Sequence, residues 1–237
     1  NYKFEGSTNY LLKDLYDKLN FKISKLENQY NFNFDINFEK NQILIEELNF
    51  LKKINSKSNL KLVGKYIKNK QLTFQNIKFD EEKNNLQIVN LFLNKNFKII
   101  KFDKVVNNYL TKDQIKNDYS IVFKNPNYKI SGITYDGIKL LDNMFESSDD
   151  NVFNIFENLN SKITIDLKQV YIDKVNYLDE FKASAEFKNN KIKNLVLDSV
   201  FPNKKELKLT INTAENGEKV TTVFTNFPKP IVSRYKF

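Results

Sequence analysis

Tyr30-Asn31-Phe32-Asn33-Phe34-Asp35-Ile36-Asn37-Phe38 decides the fold. Apolar and polar residues alternate without a break. Successive side chains of a strand point to opposite faces, so the stretch predicts a strand with one greasy and one wet face. The same alternation returns in Ile163, Ile165 and Leu167, in Phe181, Ala183, Ala185 and Phe187, and in Leu207, Leu209 and Ile211. A chain of such strands accumulates a broad apolar surface. That surface must be folded into a dry core or offered to something apolar.

Composition narrows the class. The 237 residues suffice for one large all-β domain or two small ones. A hydrophobic content of 41% with a mean hydropathy of -0.55 fits a globular chain and not a disordered one. No run approaches the ~18 consecutive apolar residues of a bilayer-spanning helix. Cysteine and histidine are absent, which removes disulfides, thiolate nucleophiles and the usual zinc ligands. The net charge of +9 is carried almost wholly by Lys, with Arg234 the one arginine. Codon bias of an AT-rich genome accounts for abundant Lys and Asn. The functional alternative is attraction to anionic lipid or nucleic acid, and the lack of Arg counts against base-specific reading. The chain opens on Asn1 and reads as an internal segment, with any targeting signal or anchor expected outside it.

Along the chain, Leu12, Leu15, Tyr16 and Leu19 lie at helical spacing and predict a short capping helix within residues 1–20. Strands are then expected at 21–26, 29–38, 42–48, 59–67, 72–79, 86–93 and 97–102. The short polar breaks between them are those of an up-and-down antiparallel meander. Leu72 and Phe74 share one parity and Ile77 and Phe79 the other, which predicts a bulge near Gln75-Asn76. Strands at 119–123 and 128–133 complete a first module, 21–135. A helical insert at 136–160 follows, with Ile138, Leu140, Leu141 and Phe145 in one short helix and Val152, Phe153, Phe156 and Leu159 in another. Ser147-Ser148-Asp149-Asp150 reads as the start signal of the second. A second β module, 161–237, has hairpin turns at Asn189-Asn190 and Asn216-Gly217, and Pro228 and Pro230 end its pairing. The expected fold is mainly β: a curved antiparallel meander forming an open apolar groove, with a few short helices.

Catalytic motifs are scarce. Without His or Cys no Ser-His-Asp or Cys-His arrangement can form, and five scattered glycines leave no phosphate-binding loop. Asp149-Asp150 is the obvious acidic cluster and reads as the first turn of a helix. Lys interleaved with aromatics, as in Phe97-Lys98-Ile99-Ile100-Lys101-Phe102, reads as a strand with a solvated face in preference to a base-stacking groove.

The stretch Ile163-Thr164-Ile165-Asp166-Leu167, then Leu178 to Phe187, then Asn190-Lys191-Ile192 and Leu195-Val196-Leu197 resembles the repeating modules of the AsmA-like family, in its YhdP-type branch. The Glu206–Ile211 strand with the Glu215-Asn216-Gly217-Glu218-Lys219 turn is similar to that branch as well. So is Tyr128-Lys129-Ile130-Ser131-Gly132 followed by Asp136-Gly137-Ile138. The resemblance covers roughly 119–237 and is only architectural over 21–110; the chain lacks the family's Gly- and Arg-rich composition. It implies a groove-shaped sheet in the periplasm of a Gram-negative bacterium. Such a sheet is anchored in the inner membrane through a segment outside this one and moves phospholipid toward the outer membrane.

The expected function is therefore carriage of phospholipid acyl chains along an apolar groove, without enzymatic activity, cofactor, metal or nucleic-acid partner. The residues expected to line the groove are Phe32, Phe34, Ile36, Phe38, Leu60, Leu62, Ile163, Ile165, Leu167, Phe181, Phe187, Leu207, Leu209 and Ile211. The chief rival is a structural or adhesive envelope protein whose apolar faces bury one another. A carboxylate-based hydrolase on a β scaffold is a weaker one.

Overall fold

A computed structural model describes residues 1–13, 15–145 and 152–235. The chain divides into two compact units, Asn1–Gln114 and Ile115–Phe237. Each is mainly β, mostly antiparallel and open, as the alternation predicts.

In the first unit the strands are β1 (Tyr2–Leu12), β2 (Leu15–Leu26), β3 (Gln29–Asn37), β4 (Ile43–Ile45), β5 (Phe50–Lys52), β6 (Ser58–Ile67), β7 (Gln71–Glu81), β8 (Asn84–Asn94), β9 (Ile99–Lys101) and β10 (Lys104–Leu110). The sheet runs β1-β2-β3-β6-β7-β8-β10, with β9 paired to the end of β8 and β4-β5 forming a hairpin of their own. The capping helix expected within residues 1–20 is instead the β1-β2 hairpin, closed by Leu12 opposite Leu15 around Lys13 at φ 47°. Leu12, Leu15, Tyr16 and Leu19 have helical spacing, but as a hairpin they gain a ladder along all of β1 and a second one from Leu19 onward on β3, and a short isolated helix has nothing comparable.

The ladder keeps apolar residues on one face across strand after strand. Phe21 faces Phe34, Phe34 faces Leu62, Leu62 faces Ile77 and Ile77 faces Ile88. The parity switch in β7 is absorbed where expected. Val63 pairs with Asn76 and Gly64 with Phe74, which leaves Gln75 as the extra residue of a bulge. On β8 the matching adjustment is Asn90, at φ 51°, between Val89 and Leu91. Asn adopts this left-handed conformation more readily than other non-glycine residues.

One end of this sheet is tied by a buried polar knot. The Asp17 carboxylate accepts from the Lys40 backbone N–H at 3.2 Å and from Asn41 Nδ2 at 2.6 Å. The Lys52 ammonium, fully buried, donates to the carbonyls of Phe38, of Glu39 at 2.9 Å and of Asn41 at 2.6 Å. Acid takes the loop's donors and cation takes its acceptors, so all three ammonium protons are used. Burial pushes the Lys52 pKa down, opposed by the nearby Glu81, Asp17 and Glu39.

The second unit contains β11 (Lys116–Lys124), β12 (Asn127–Asp136), α1 (Ile138–Phe145), a 3-10 turn (Val152–Ile155), β13 (Ser161–Tyr171), β14 (Tyr177–Lys188), β15 (Lys191–Val200), β16 (Glu206–Thr213), β17 (Lys219–Thr225) and α2 (Lys229–Tyr235). Its strands follow one another from β11 to β17 in chain order. The expectation of an antiparallel meander throughout fails at one step: β12 and β13 are parallel. Parallel neighbours need a crossover, and the helical stretch expected at 136–160 supplies it. Residues 115–135, expected in the first module, cluster with the second unit, to which the β12-β13 pairing ties them. Ser147-Ser148-Asp149-Asp150 lies outside the described residues. Asn189 and Asn190 take φ 52° and 63°, and Gly217 takes φ 88°, as their hairpins require. Pro228 and Pro230 do end the pairing, and they also open α2, which the sequence reading missed. Proline is tolerated in a first helical turn, and the Pro228 carbonyl accepts from Ile231 and Val232.

Lys52→Met should take the ammonium from the Phe38 and Asn41 carbonyls, and from that of Glu39, which keeps the Asn55 N–H, and lower stability by about 3 kcal/mol. Urea unfolding followed by circular dichroism should show an earlier transition; an unchanged midpoint would contradict the role given to the knot.

Candidate functional site

The two units carry the same alternation but treat their apolar faces differently. In the first unit the face includes Leu19, Phe21 and Ile23 on β2, Phe32, Phe34 and Ile36 on β3, Leu60 and Leu62 on β6, and Phe74, Ile77 and Phe79 on β7. All of these are half-buried. Phe38, just beyond β3, is half-buried too, with its ring 6.0 Å from that of Tyr10. The β4-β5 hairpin covers one end: Phe50, wholly buried, lies edge-on to Phe79 at 5.7 Å and to Tyr109 at 5.5 Å. Beyond that hairpin no helix of this unit, among the described residues, packs on the face. Six of the fourteen predicted lining residues therefore stand together on an open apolar sheet.

The floor of this face is low. Phe32 stacks on Phe34 at 5.4 Å and meets Phe74 edge-on at 5.6 Å. A Cβ added at Gly64 would lie 2.6 Å from the Phe32 ring and 2.4 Å from the Thr73 carbonyl oxygen, so the ring lies across the glycine. Phe21 lies across Gly6 in the same way, 3.1 Å from where a Cβ would be. Rings laid over glycines cover backbone and present flat hydrocarbon with few protruding edges.

In the second unit the face is covered. Leu167, Phe181 and Phe187 are buried, as are Leu207, Leu209 and Ile211. The crossover returns over the sheet: Phe153 packs on Phe187 at 4.5 Å, and Asn190 holds the chain by donating from Nδ2 to the Phe156 carbonyl at 3.1 Å and accepting from the Leu159 N–H at 2.5 Å. What remains beneath is an apolar cavity of about 200 Å³, lined by Ile163, Ile165, Leu167, Phe181 and Phe187 from the sheet and by Leu140, Leu141 and Phe153 from the crossover. Leu207, Leu209 and Ile211 do not line it. Their expected place in an open groove is corrected by their burial, with 4%, 2% and 1% of their surface exposed. They are core.

Asp149-Asp150 lies outside the described residues. Glu81 accepts from Ser56 at 2.7 Å and from Asn84 at 3.0 Å, which is a turn-holding arrangement. The sequence reading missed Tyr119, Ile121, Ala183 and Leu195 as cavity-lining residues. Ala183 and Leu195 lay within the alternating segments, and their parity with Phe181 and Leu197 was the signal.

Cavity and open face separate by experiment. Ala183→Leu, which extends into the cavity, should raise the melting temperature by a few degrees, a gain of about 1 kcal/mol. It should also abolish any uptake of a small apolar solute such as xenon. Unchanged xenon uptake in the folded variant would show that the solute sits elsewhere. No family model, curated protein or solved structure matches the chain.

Proposed function

We propose that the chain is a lipid-carrying segment that holds hydrocarbon chains along the open apolar face of its first unit. The observation that carries this reading is the continuity of Phe, Leu and Ile side chains from β2 to β8 with, among the described residues, no layer of this unit over them beyond the β4-β5 hairpin at one end. The face offers no directional polar groups, so it selects for apolar shape alone. Each buried methylene contributes ~0.8 kcal/mol, and a two-chain lipid is held without any specific contact to its headgroup. Movement along a uniform face exchanges like contacts for like. The resemblance to AsmA-like proteins supplies the setting: a periplasmic segment, anchored in the inner membrane from outside this stretch, passing phospholipid toward the outer membrane. On this reading the second unit holds no lipid, since its face is already filled by its own crossover. The rival reading, a structural β-protein, draws its support from that same covered core.

The test is lipid mass spectrometry on protein purified without detergent, alongside Phe34→Asp combined with Leu62→Asp. These residues are cross-strand partners at the centre of the open face. Co-purifying phospholipid in the parent chain, lost in a variant with unchanged circular dichroism, is the expected outcome. A lipid-free parent chain that is monomeric and stable would give the structural reading the field.

A further inference from the structure

The first unit has a charged end. By register, the turns β2-β3, β6-β7 and β8-β9 fall at the same end of the sheet: Leu26 faces Gln29, Gln29 faces Ile67, Ile67 faces Gln71 and Gln71 faces Asn94. The Lys68 N–H donates to the Asn28 carbonyl at 3.1 Å and stitches the first two turns together. The third turn is shaped by the Phe97 N–H on the Asn94 carbonyl at 3.0 Å and the Asn94 N–H on that of Lys98 at 2.9 Å. This rim bears Lys25, Lys65, Lys68, Lys70, Lys95 and Lys98, with Glu27 as its acid. The opposite end mixes its lysines with Glu39, Glu46, Glu47, Glu81 and Glu82. Residues 1–114 hold 20 Lys and 13 acids and so carry +7 of the chain's +9. The excess charge is thus gathered in one unit, and within it at one end, which codon bias alone does not arrange.

The rim also carries apolar tips. Phe97 is 67% exposed and Leu26 55% exposed, each on a turn flanked by Lys. Phe97 sits at φ 60°, a conformation a bulky aromatic rarely adopts, and it is held there at the turn tip with its ring in solvent. Between the second and third turns lies a concavity of about 410 Å³, walled by Tyr66, Lys70, Asn94, Lys95 and Phe97. At the end of the apolar face nearest the rim, the Lys25 ammonium lies 5.9 Å from the Tyr2 ring and 5.4 Å from the Tyr30 ring.

We infer that this rim docks on an anionic lipid bilayer, its lysines on the phosphates and Phe97 and Leu26 entering the boundary between headgroups and acyl chains. Cations spread over three turns with apolar tips between them match a surface that is negative outside and greasy beneath. A nucleic-acid strand would use the cations but leave Leu26 in water, and the unit contains no arginine for phosphate forks or base edges. The inference goes beyond the acyl-chain reading and does not require it.

The experiment is sedimentation of the full chain with vesicles of phosphatidylcholine alone or mixed with phosphatidylglycerol, with oligo-dT as the competing polyanion. The chain should bind the mixed vesicles, fail on phosphatidylcholine alone and weaken as salt rises. Lys68→Glu, Lys70→Glu and Lys95→Glu together should weaken binding on the order of a hundredfold, at ~1 kcal/mol for each lysine. Phe97→Ser should cost about tenfold and leave the salt dependence in place. Lys40→Glu, Lys53→Glu and Lys57→Glu, an equal charge reversal at the far end, should leave binding within a few-fold of the parent. Equal losses from both triple variants would reduce the effect to net charge and overturn the assignment. Binding of oligo-dT without binding of vesicles would overturn it in favour of nucleic acid. Phe34→Asp with Leu62→Asp should still sediment with vesicles, so failure of the groove and failure of the rim are read separately.

Discussion

Side-chain parity across the ladder is the constraint on which the rest of the first unit depends. A slip of one residue in any strand would send its Phe, Leu and Ile to the wet face, and the apolar surface would be interrupted there. The sequence of β7 contains such a slip, between Phe74 and Ile77. The structure absorbs it with Gln75 bulged against β6 and with Asn90 in the left-handed region on β8. Two strands adjust together, and the face continues through them. Gly64, one residue from the bulge, leaves room for the Phe32 ring to lie across the backbone.

Topology then decides what becomes of the face. In the first unit the sheet strands follow mostly by tight turns, and the longest connection, between β3 and β6, folds into the β4-β5 hairpin and covers the end beside Phe79. The polar knot of Asp17, Asn41 and Lys52 fixes that connection where it is. In the second unit the parallel step from β12 to β13 demands a crossover, and the crossover brings Leu140, Leu141 and Phe153 over the sheet. The same alternating code gives an open surface in one half and a core with a small cavity in the other.

This explains how far the sequence could be read. Alternation located β3, β6, β7, β8, β13, β14, β15 and β16, and parity located the bulge. Asn189-Asn190 and Gly217 located two hairpins through their left-handed preference. Alternation reports which side of a strand is greasy, but not whether anything lies over it. Phe34 and Leu209 have indistinguishable local patterns, yet one is half-buried and the other buried, a difference that no local pattern encodes. The β1-β2 hairpin was hidden because Leu12 and Leu15 flank a tight turn at a spacing that also suits a helix. β10 was hidden because Val105-Val106 and Asn107-Asn108 run in pairs instead of alternating.

Lipid carriage by this chain depends on the open face of the first unit. Photo-crosslinking with a phospholipid carrying a diazirine in its acyl chain, followed by peptide mapping, addresses it most directly. A lipid-holding face gives adducts on the β3 and β6 peptides containing Phe32, Phe34, Leu60 and Leu62, and none on the peptide containing Leu207, Leu209 and Ile211. Adducts confined to the second unit, or spread evenly over both, would contradict it.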